Sequence, residues 1–321
     1  MLSEDLNKVL NKAYPAEEEW AQAVYGGRLG GLTKDAAGNL TRHFEGTGKK
    51  LLVVAPTAVE GLIADSLDEK GNLHCLFTKG IDTRNIFNRA LRFSCGAEGV
   101  MRPVACNGSD PTDKKPQELT ADDMYVDFGM PFYKTGVRPG DTAVLDATVR
   151  TAAPGVLCGA RFTAAVPCEA LAALISGGVA CGRDVTFAFV SDNGLPYLLR
   201  SLCPDEVLFL GIFPAQDGPD GEKNGLAVKF DGGPAVMLRL GNVSADRGMT
   251  ERFFRAAGET GIPVQTAYRR EYGSAEAAAA SGAAVAEITV PVRHIGGGEL
   301  LREDEFDRFI RLTGAFIASN D

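Results

Sequence analysis

The chain has 321 residues, 45% of them hydrophobic, which is enough to bury a large core in one or two domains. Its formal net charge of -9 argues against a nucleic-acid partner, because such surfaces need clustered lysine and arginine. The N-terminus lacks a basic segment followed by an apolar one, and no run of about 18 apolar residues occurs. We therefore expect a cytoplasmic protein with no signal peptide and no membrane partner.

Helical and extended patterns alternate at the two ends of the chain. Helices are predicted at 3–12 and 16–25, and the continuous apolar run at 51–55 is typical of a strand buried on both faces. In the C-terminal half a helix is predicted at 164–176, with strands at 184–190, 206–211 and 287–291 and an amphipathic helix after Phe306. This alternation predicts an α/β sheet with helices on both faces.

The segment from 65 to 157 has a different pattern. Short extended stretches are separated by clusters of Gly, Pro, Asn and Asp, and helical periodicity is weak. We predict that residues 65–157 form a small β-rich domain inserted into an α/β domain made of residues 1–64 and 158–321.

Five short motifs follow one another over almost the whole chain. They are Asp35-Ala-Ala-Gly-Asn-Leu40, the strand and hairpin at 51–73, Met124–Gly129 with Gly136–Asp141, Ile262-Pro-Val-Gln265, and Ile288-Thr-Val-Pro-Val-Arg293. In order and spacing they resemble the motifs of the tetrahedral-aminopeptidase family, metallopeptidase family forty-two, which also includes endoglucanase-like proteins. The resemblance implies a zinc-exopeptidase-like three-layer sandwich whose inserted β-rich domain helps assembly. It also implies a homo-oligomer of at least two chains.

The same resemblance implies a centre of two zinc or cobalt ions that activate a bridging water. Alignment of the motifs places the family's ligand and base positions on residues that mostly lack a donor atom. They are Pro56 for the first His, Ala58 for the Asp that orients it, Gly159 for the bridging Asp, Ser191 and Asp192 for the Glu pair, Gly211 for a further Asp and Gly296 for the last His. Only Asp192 keeps a carboxylate, so we expect no metal cofactor and no catalytic residue.

We expect these positions to form a vestigial cleft at the strand ends, where ligand sites of open α/β sheets lie. Its members are Pro56, Ala58, Gly159, Arg161, Ser191, Asp192, Gly211, Arg293, His294 and Gly296. Small residues should enlarge it unless Phe162, Phe213 or His294 turns inward. The two arginines are expected either to bind an anionic ligand or to pair with carboxylates of the chain.

These features favour a non-catalytic pseudo-peptidase whose metal-free cleft binds a small ligand or a protein partner. Two alternatives stay open. One is an active metal-dependent aminopeptidase with a rearranged site, using donors among Asp192, Glu60, Asp217, Glu276 and His294. The other is a metal-free hydrolase, with Ser191 or Cys158 as nucleophile and, for the thiol, His294 as base.

Overall fold

The computed structural model of the protein describes residues 2–15, 19–78, 81, 83–103, 120–178, 182–191, 193–218, 228–270 and 272–319. The helices are α1 Leu2–Leu10, α2 Trp20–Tyr25, α3 Thr83–Ile86, α4 Phe162–Ser176, α5 Leu195–Leu202, α6 Arg247–Thr260, α7 Gly273–Ala280 and α8 Glu303–Ala318. Within the described residues, no helix is long and apolar enough to cross a membrane.

Twelve strands form one large mixed sheet. They are β1 Thr33–Lys34, β2 Leu40–Phe44, β3 Thr47–Pro56, β10 Arg150–Ala153, β11 Val156–Gly159, β12 Arg183–Val190, β13 Glu206–Pro214, β14 Ala235–Leu240, β15 Val243–Ser244, β16 Gln265–Arg269, β17 Ala284–Arg293 and β18 Glu299–Arg302. The main order is β1-β2-β12-β3-β13-β17-β18-β11-β10, and β14 joins β15 and β16 to β17.

Apolar side chains on both faces explain why the centre of this sheet is buried. Along β3, Leu51, Val53 and Ala55 pack into the core under α1, α4, α6 and α8. The alternate residues Leu52 and Val54 pack into a second core with α5 and α7. The predicted α/β fold, a central sheet covered by helices, is therefore confirmed.

The remaining strands close into a separate barrel in the order β4-β5-β8-β7-β6-β9. They are β4 Leu62–Leu67, β5 Leu73–Phe77, β6 Ala90–Phe93, β7 Glu98–Pro103, β8 Met124–Asp127 and β9 Thr142–Leu145. The barrel has its own apolar core, whereas β10 and β11 pair with the large sheet. The domain boundaries given above stay a prediction.

Strand direction determines where loops gather. β12, β3, β13 and β17 are parallel neighbours, so their carboxyl ends lie at one edge of the sheet. The chain leaves β3 at this edge to enter the barrel. A crevice for ligands in α/β proteins lies at such an edge.

Candidate functional site

Three positions of the predicted cleft lie together at the ends of neighbouring strands. Pro56 is the last residue of β3 and pairs with Val190 of β12, which Ser191 follows directly. On the other side of β3, β13 pairs with it as far as Phe209 opposite Val54, two residues before Gly211 and Pro56. Ala58 follows β3 and is exposed, while Ser191 and Gly211 are buried.

The loop after β12 is held by a buried asparagine. The Oδ1 atom of Asn39 accepts a hydrogen bond from the Ser191 amide at 3.1 Å, and its Nδ2 atom donates to the Gly194 carbonyl at 3.0 Å. The Ser191 hydroxyl donates to the Ala37 carbonyl at 2.8 Å. The Ser191 hydroxyl is thus hydrogen-bonded to the backbone. Among the described contacts, none joins it to a side chain that could act as a general base. Asp192 lies outside the described residues.

A second group of positions is assembled around Glu299, the first residue of β18. Its backbone lies opposite Gly159 in the sheet. Its Oε2 atom accepts the Phe162 amide at 2.6 Å and its Oε1 atom accepts the Gly296 amide at 2.8 Å. Glu299 therefore caps the first turn of α4, where the N-cap residue Arg161 offers no side-chain acceptor.

Two carboxyls near this turn, one buried and one partly exposed, have shifted pKa values. Burial raises the pKa of Glu299 to about 7, against the effect of its two backbone hydrogen bonds, and the Glu60 charge raises it further. Burial also raises the pKa of Glu60 to about 7. Sequence reasoning missed Glu299 as a member of the site, because its capping role depends on the pairing of β18 with β11. The three glycines before it were the only local signal.

Both arginines of the predicted cleft are held by the chain itself. Arg161 is 3% exposed and donates to the carbonyls of Ala13 at 2.8 Å and Leu10 at 3.0 Å, at the end of α1. Burial lowers the pKa of Arg161 to about 10. Arg293 donates to the Asp217 carboxylate at 2.9 Å. Of the two expected roles, pairing within the chain is therefore the one observed for Arg293, while Arg161 binds backbone carbonyls.

The loop after β17 carries the last members of the predicted cleft. His294 is exposed and has a left-handed backbone with φ of 59°. Gly296 is partly exposed and donates its amide to Glu299. The structure thus connects this loop to the start of α4, and the exposed edge of the site consists of residues on the β3 and β17 loops.

The space beside the two glycines that the motif alignment places at carboxylate positions is occupied. A Cβ atom on Gly159 would lie 2.8 Å from the ring of Phe162, which is fully buried. A Cβ atom on Gly211 would lie 2.6 Å from Oε1 of Glu287 and 3.2 Å from Nη2 of Arg269. Phe162, one of the residues named above as able to turn inward, thus lies against Gly159.

The Glu287 carboxylate beside Gly211 is itself satisfied. Arg269 contacts it through Nε and Nη2 at 2.8–3.0 Å, and the guanidinium carbon lies 5.5 Å from the ring centre of Phe213 and 5.4 Å from that of Tyr272. Burial raises the pKa of Glu287, against the opposing effect of Arg269. The Glu287 carboxylate therefore has a charged partner within the chain.

The donor set of the described residues does not fit a dinuclear metal centre. Within the described ranges, which leave out Asp192, no group of three or more His, Cys, Asp or Glu side chains is arranged to hold a metal. Asp217 binds Arg293, and Glu276 accepts a hydrogen bond from Asn242 at 2.9 Å. Two metals need several carboxylate or imidazole ligands and a bridging group, and the described residues at the corresponding positions supply none.

Comparison with known proteins identifies the family. The model of the M42 glutamyl aminopeptidase family matches residues 38–312. The chain belongs to the M42 family. A TET aminopeptidase from the marine sediment archaeon Thaumarchaeota archaeon SCGC AB-539-E09 superposes with a TM-score of 0.87 at 21% identity, over 99% of this chain and 96% of that one.

Two further solved structures are similar. Aminopeptidase APDkam598 from Desulfurococcus kamchatkensis has a TM-score of 0.88 at 19% identity, over 99% of this chain and 95% of its own. The TET1 peptidase of Pyrococcus horikoshii, which can assemble into a tetrahedron or a large octahedral shell, has a TM-score of 0.81 at 19% identity, over 97% and 98% of the two chains. At these identities the likeness shows the M42 fold.

Proposed function

We propose that this M42-family chain is a non-catalytic pseudo-peptidase. Its cleft, in this proposal, binds a small ligand or a protein partner without metal, and the chain works in the cytoplasm as a homo-oligomer. The observation that carries the proposal is the packing around Gly159 and Gly211. Both positions lack the carboxylate that the family resemblance implies, and neighbouring side chains take up the adjoining space.

The packing supports this function because two-metal hydrolysis depends on a bridging carboxylate and on a base beside the bridging water. The nearby carboxylates have other partners. Glu287 is paired with Arg269, and Glu299 accepts two backbone amides. Ser191, at the position of the base, donates a hydrogen bond to a carbonyl, and a serine hydroxyl is too weak a base to take a proton from water.

The exposed part of the site is where a ligand would bind. Ala58 and His294 are exposed, and Pro56 and Gly296 are partly exposed, on the two loops that border the strand ends. Peptide-like compounds are the first class to try, since the M42 relatives named above are aminopeptidases. Homo-oligomerisation is supported by the assemblies described for the Pyrococcus horikoshii protein.

A metal and activity measurement tests the loss of catalysis. The purified protein should contain no stoichiometric zinc or cobalt, and it should not hydrolyse aminoacyl amides after either metal is added. Two metal ions per chain together with turnover that EDTA abolishes would contradict the proposal.

A binding measurement tests the cleft separately. Free amino acids and dipeptides are titrated by calorimetry against the unaltered chain, Ala58→Arg and Ala152→Arg. Both alanines are exposed, but only Ala58 lies in the predicted cleft, whereas Ala152 lies in β10. Binding that Ala58→Arg removes and Ala152→Arg keeps supports the cleft. Equal binding by all three proteins, or no binding, contradicts it.

One observation favours a metal-free hydrolase as the second candidate. Burial raises the pKa of Glu60 and of Glu299 to about 7, and the charge of Glu60 adds to the shift of Glu299, which suits acid–base chemistry near neutral pH. Hydrolysis of aminoacyl amides in the presence of EDTA, with a pH profile that Glu60→Gln abolishes, would establish this candidate. Absence of any EDTA-resistant turnover removes it.

A further inference from the structure

Helix α6 has one buried apolar face and one exposed face that carries charged side chains, two glycines and an aromatic ring. Its inner side packs Met249, Phe253, Ala256 and Ala257 into the main core, with Phe253 stacked on Phe316 of α8 at 4.0 Å. The N-terminus is capped by Asp246, whose carboxylate accepts the Met249 amide at 2.9 Å. The helix is therefore rigidly positioned, and its outer face is a fixed surface.

The outer face carries alternating charges at a spacing of four residues. Arg247, Glu251, Arg255 and Glu259 are all exposed and lie on one side of the helix. Their signs run plus, minus, plus, minus. Residue 253 lies midway between Glu251 and Arg255, and also midway between Arg247 and Glu259. If the helix is turned end to end about residue 253, each charge therefore comes to the position of an opposite charge.

The uncharged residues of this face follow the same symmetry. Gly248 and Gly258 are both exposed and equidistant from residue 253, and a Cβ atom on Gly258 would meet nothing within 4 Å. Phe254 lies next to the midpoint and is 40% exposed. Glycine at both ends lets two helix backbones approach closely, and an exposed aromatic ring at the centre provides apolar area.

From this pattern we infer that the outer face of α6 binds the same face of a second copy of the chain across a two-fold axis. The two helices run antiparallel at a shallow angle, as in the common helix-packing class near 20°. Arg247 then faces Glu259 of the second copy, and Glu251 faces its Arg255. The two Phe254 rings meet near the axis. Such self-complementarity is what an isologous interface requires.

Pairing within one helix accounts for only part of the pattern. Arg247 and Glu251 form an exposed i,i+4 ion pair at 2.7 Å. Within the described part of the chain, Arg255 and Glu259 have no ion-pair partner. Intrahelical pairs also give no reason for Phe254 to be exposed between the charges. A contact with a second copy explains the charges, the ring and the glycines together.

Charge reversal with mixing tests the contact. In Glu251→Arg, residues 251 and 255 are both positive, and in Arg255→Glu both are negative, so each variant repels itself across the two-fold axis. A 1:1 mixture restores both opposite-charge contacts. By light scattering after gel filtration, each single variant should contain fewer chains per particle than the unaltered protein, and the mixture should regain the original number.

Charge reversals on α1 serve as controls, because Glu4 and Lys8 are also exposed. Glu4→Arg and Lys8→Glu change the net charge equally and should leave the particle size unchanged. The inference is overturned if the unaltered chain is a monomer, if the α6 variants keep its size, or if the mixture stays as small as the single variants. This outcome is independent of metal content and activity.

Discussion

Two turns of the molecule carry the same pattern, Asp-x-x-Gly-Asn-Leu, and nearly the same geometry. One, at 35–40, joins β1 to β2 in the large sheet, and the other, at 68–73, joins β4 to β5 in the barrel. In each the aspartate accepts the amide of the asparagine at 2.9 Å, and the asparagine side chain donates back at 2.8 Å. The glycines have φ of 83° and 82°.

The difference lies in what surrounds the asparagine. Asn39 is completely buried and also bonds the backbone of Ser191 and Gly194, so its turn holds the loop at the candidate site. Asn72 is partly exposed, and its hydrogen bonds in the described structure stay within the turn. The local sequence therefore specifies the conformation of the turn. The position of the turn in the fold determines how much its asparagine contributes to stability.

The largest expected effect separates the two asparagines. Asn39→Ala should lower the free energy of unfolding by about 2 to 4 kcal/mol, because it leaves the buried Ser191 amide without its partner and removes one of the hydrogen bonds to the Gly194 carbonyl. Asn72→Ala, the matched control, should cost about 1 kcal/mol or less, since water replaces the lost bonds. Urea unfolding of both variants gives the comparison, and equal losses would show that burial of Asn39 does not matter.

The contact with the β12 loop can be tested in a double-mutant cycle. A Cβ atom on Gly194 would overlap the Asn39 side-chain amide. Gly194→Ala should therefore be destabilising in the unaltered chain and much less so in the Asn39→Ala background. Additive losses would mean that the two residues do not interact.

A second, smaller contrast concerns carboxylates that accept backbone amides. Hydrogen bonds from Asn72, then from Lys70, lower the pKa of the partly exposed Asp68 to about 2. Glu299 also accepts two backbone amides, yet burial raises its pKa to about 7, and burial does the same for Glu60. Hydrogen bonding dominates in the barrel turn, and loss of hydration dominates at the candidate site.

This contrast predicts a pH dependence of stability. A folded-state pKa raised from 4.5 to about 7 means that stability is fully present below pH 4.5 and is lost as pH rises through about 7. A shift of that size corresponds to a loss on the order of 3 kcal/mol for such a group. In Glu60→Gln, the free energy of unfolding should change less with pH than in the unaltered chain. The difference should appear roughly between pH 5 and 7.5, the range set by these pKa values.

Asp68 gives the opposite sign. With its pKa lowered from 3.8 to about 2, the stability it contributes is present above pH 3.8 and is lost as pH falls through about 2. Asp68→Asn should therefore leave the profile between pH 5 and 7.5 unchanged. A flattened profile for Asp68→Asn, or none for Glu60→Gln, would contradict this assignment.

The same distinction explains how much the sequence alone could predict. The apolar run at 51–55 predicted β3, found at Thr47–Pro56, and the helix predicted at 164–176 is found at Phe162–Ser176. These elements depend on neighbouring residues. The packing of Phe162 against Gly159 and of Glu287 against Gly211 depends on strand pairing and helix placement, and no pattern along the chain contains that information.

The smallest expected difference isolates the local part of the two turns. Gly38→Ala and Gly71→Ala each force a Cβ atom onto a backbone with φ near 83°, which costs an L-residue about 1 kcal/mol. Because the two turns have the same backbone conformation, the two costs should agree within roughly 0.5 kcal/mol. Urea unfolding of the two variants measures both. A much larger loss for Gly38→Ala would mean that the buried turn transmits local strain to Asn39 and the loop after β12. The cost of backbone strain in the turn and the loss of the Asn39 contacts could then not be measured separately. The difference in stability between Asn39→Ala and Asn72→Ala would in that case include both effects.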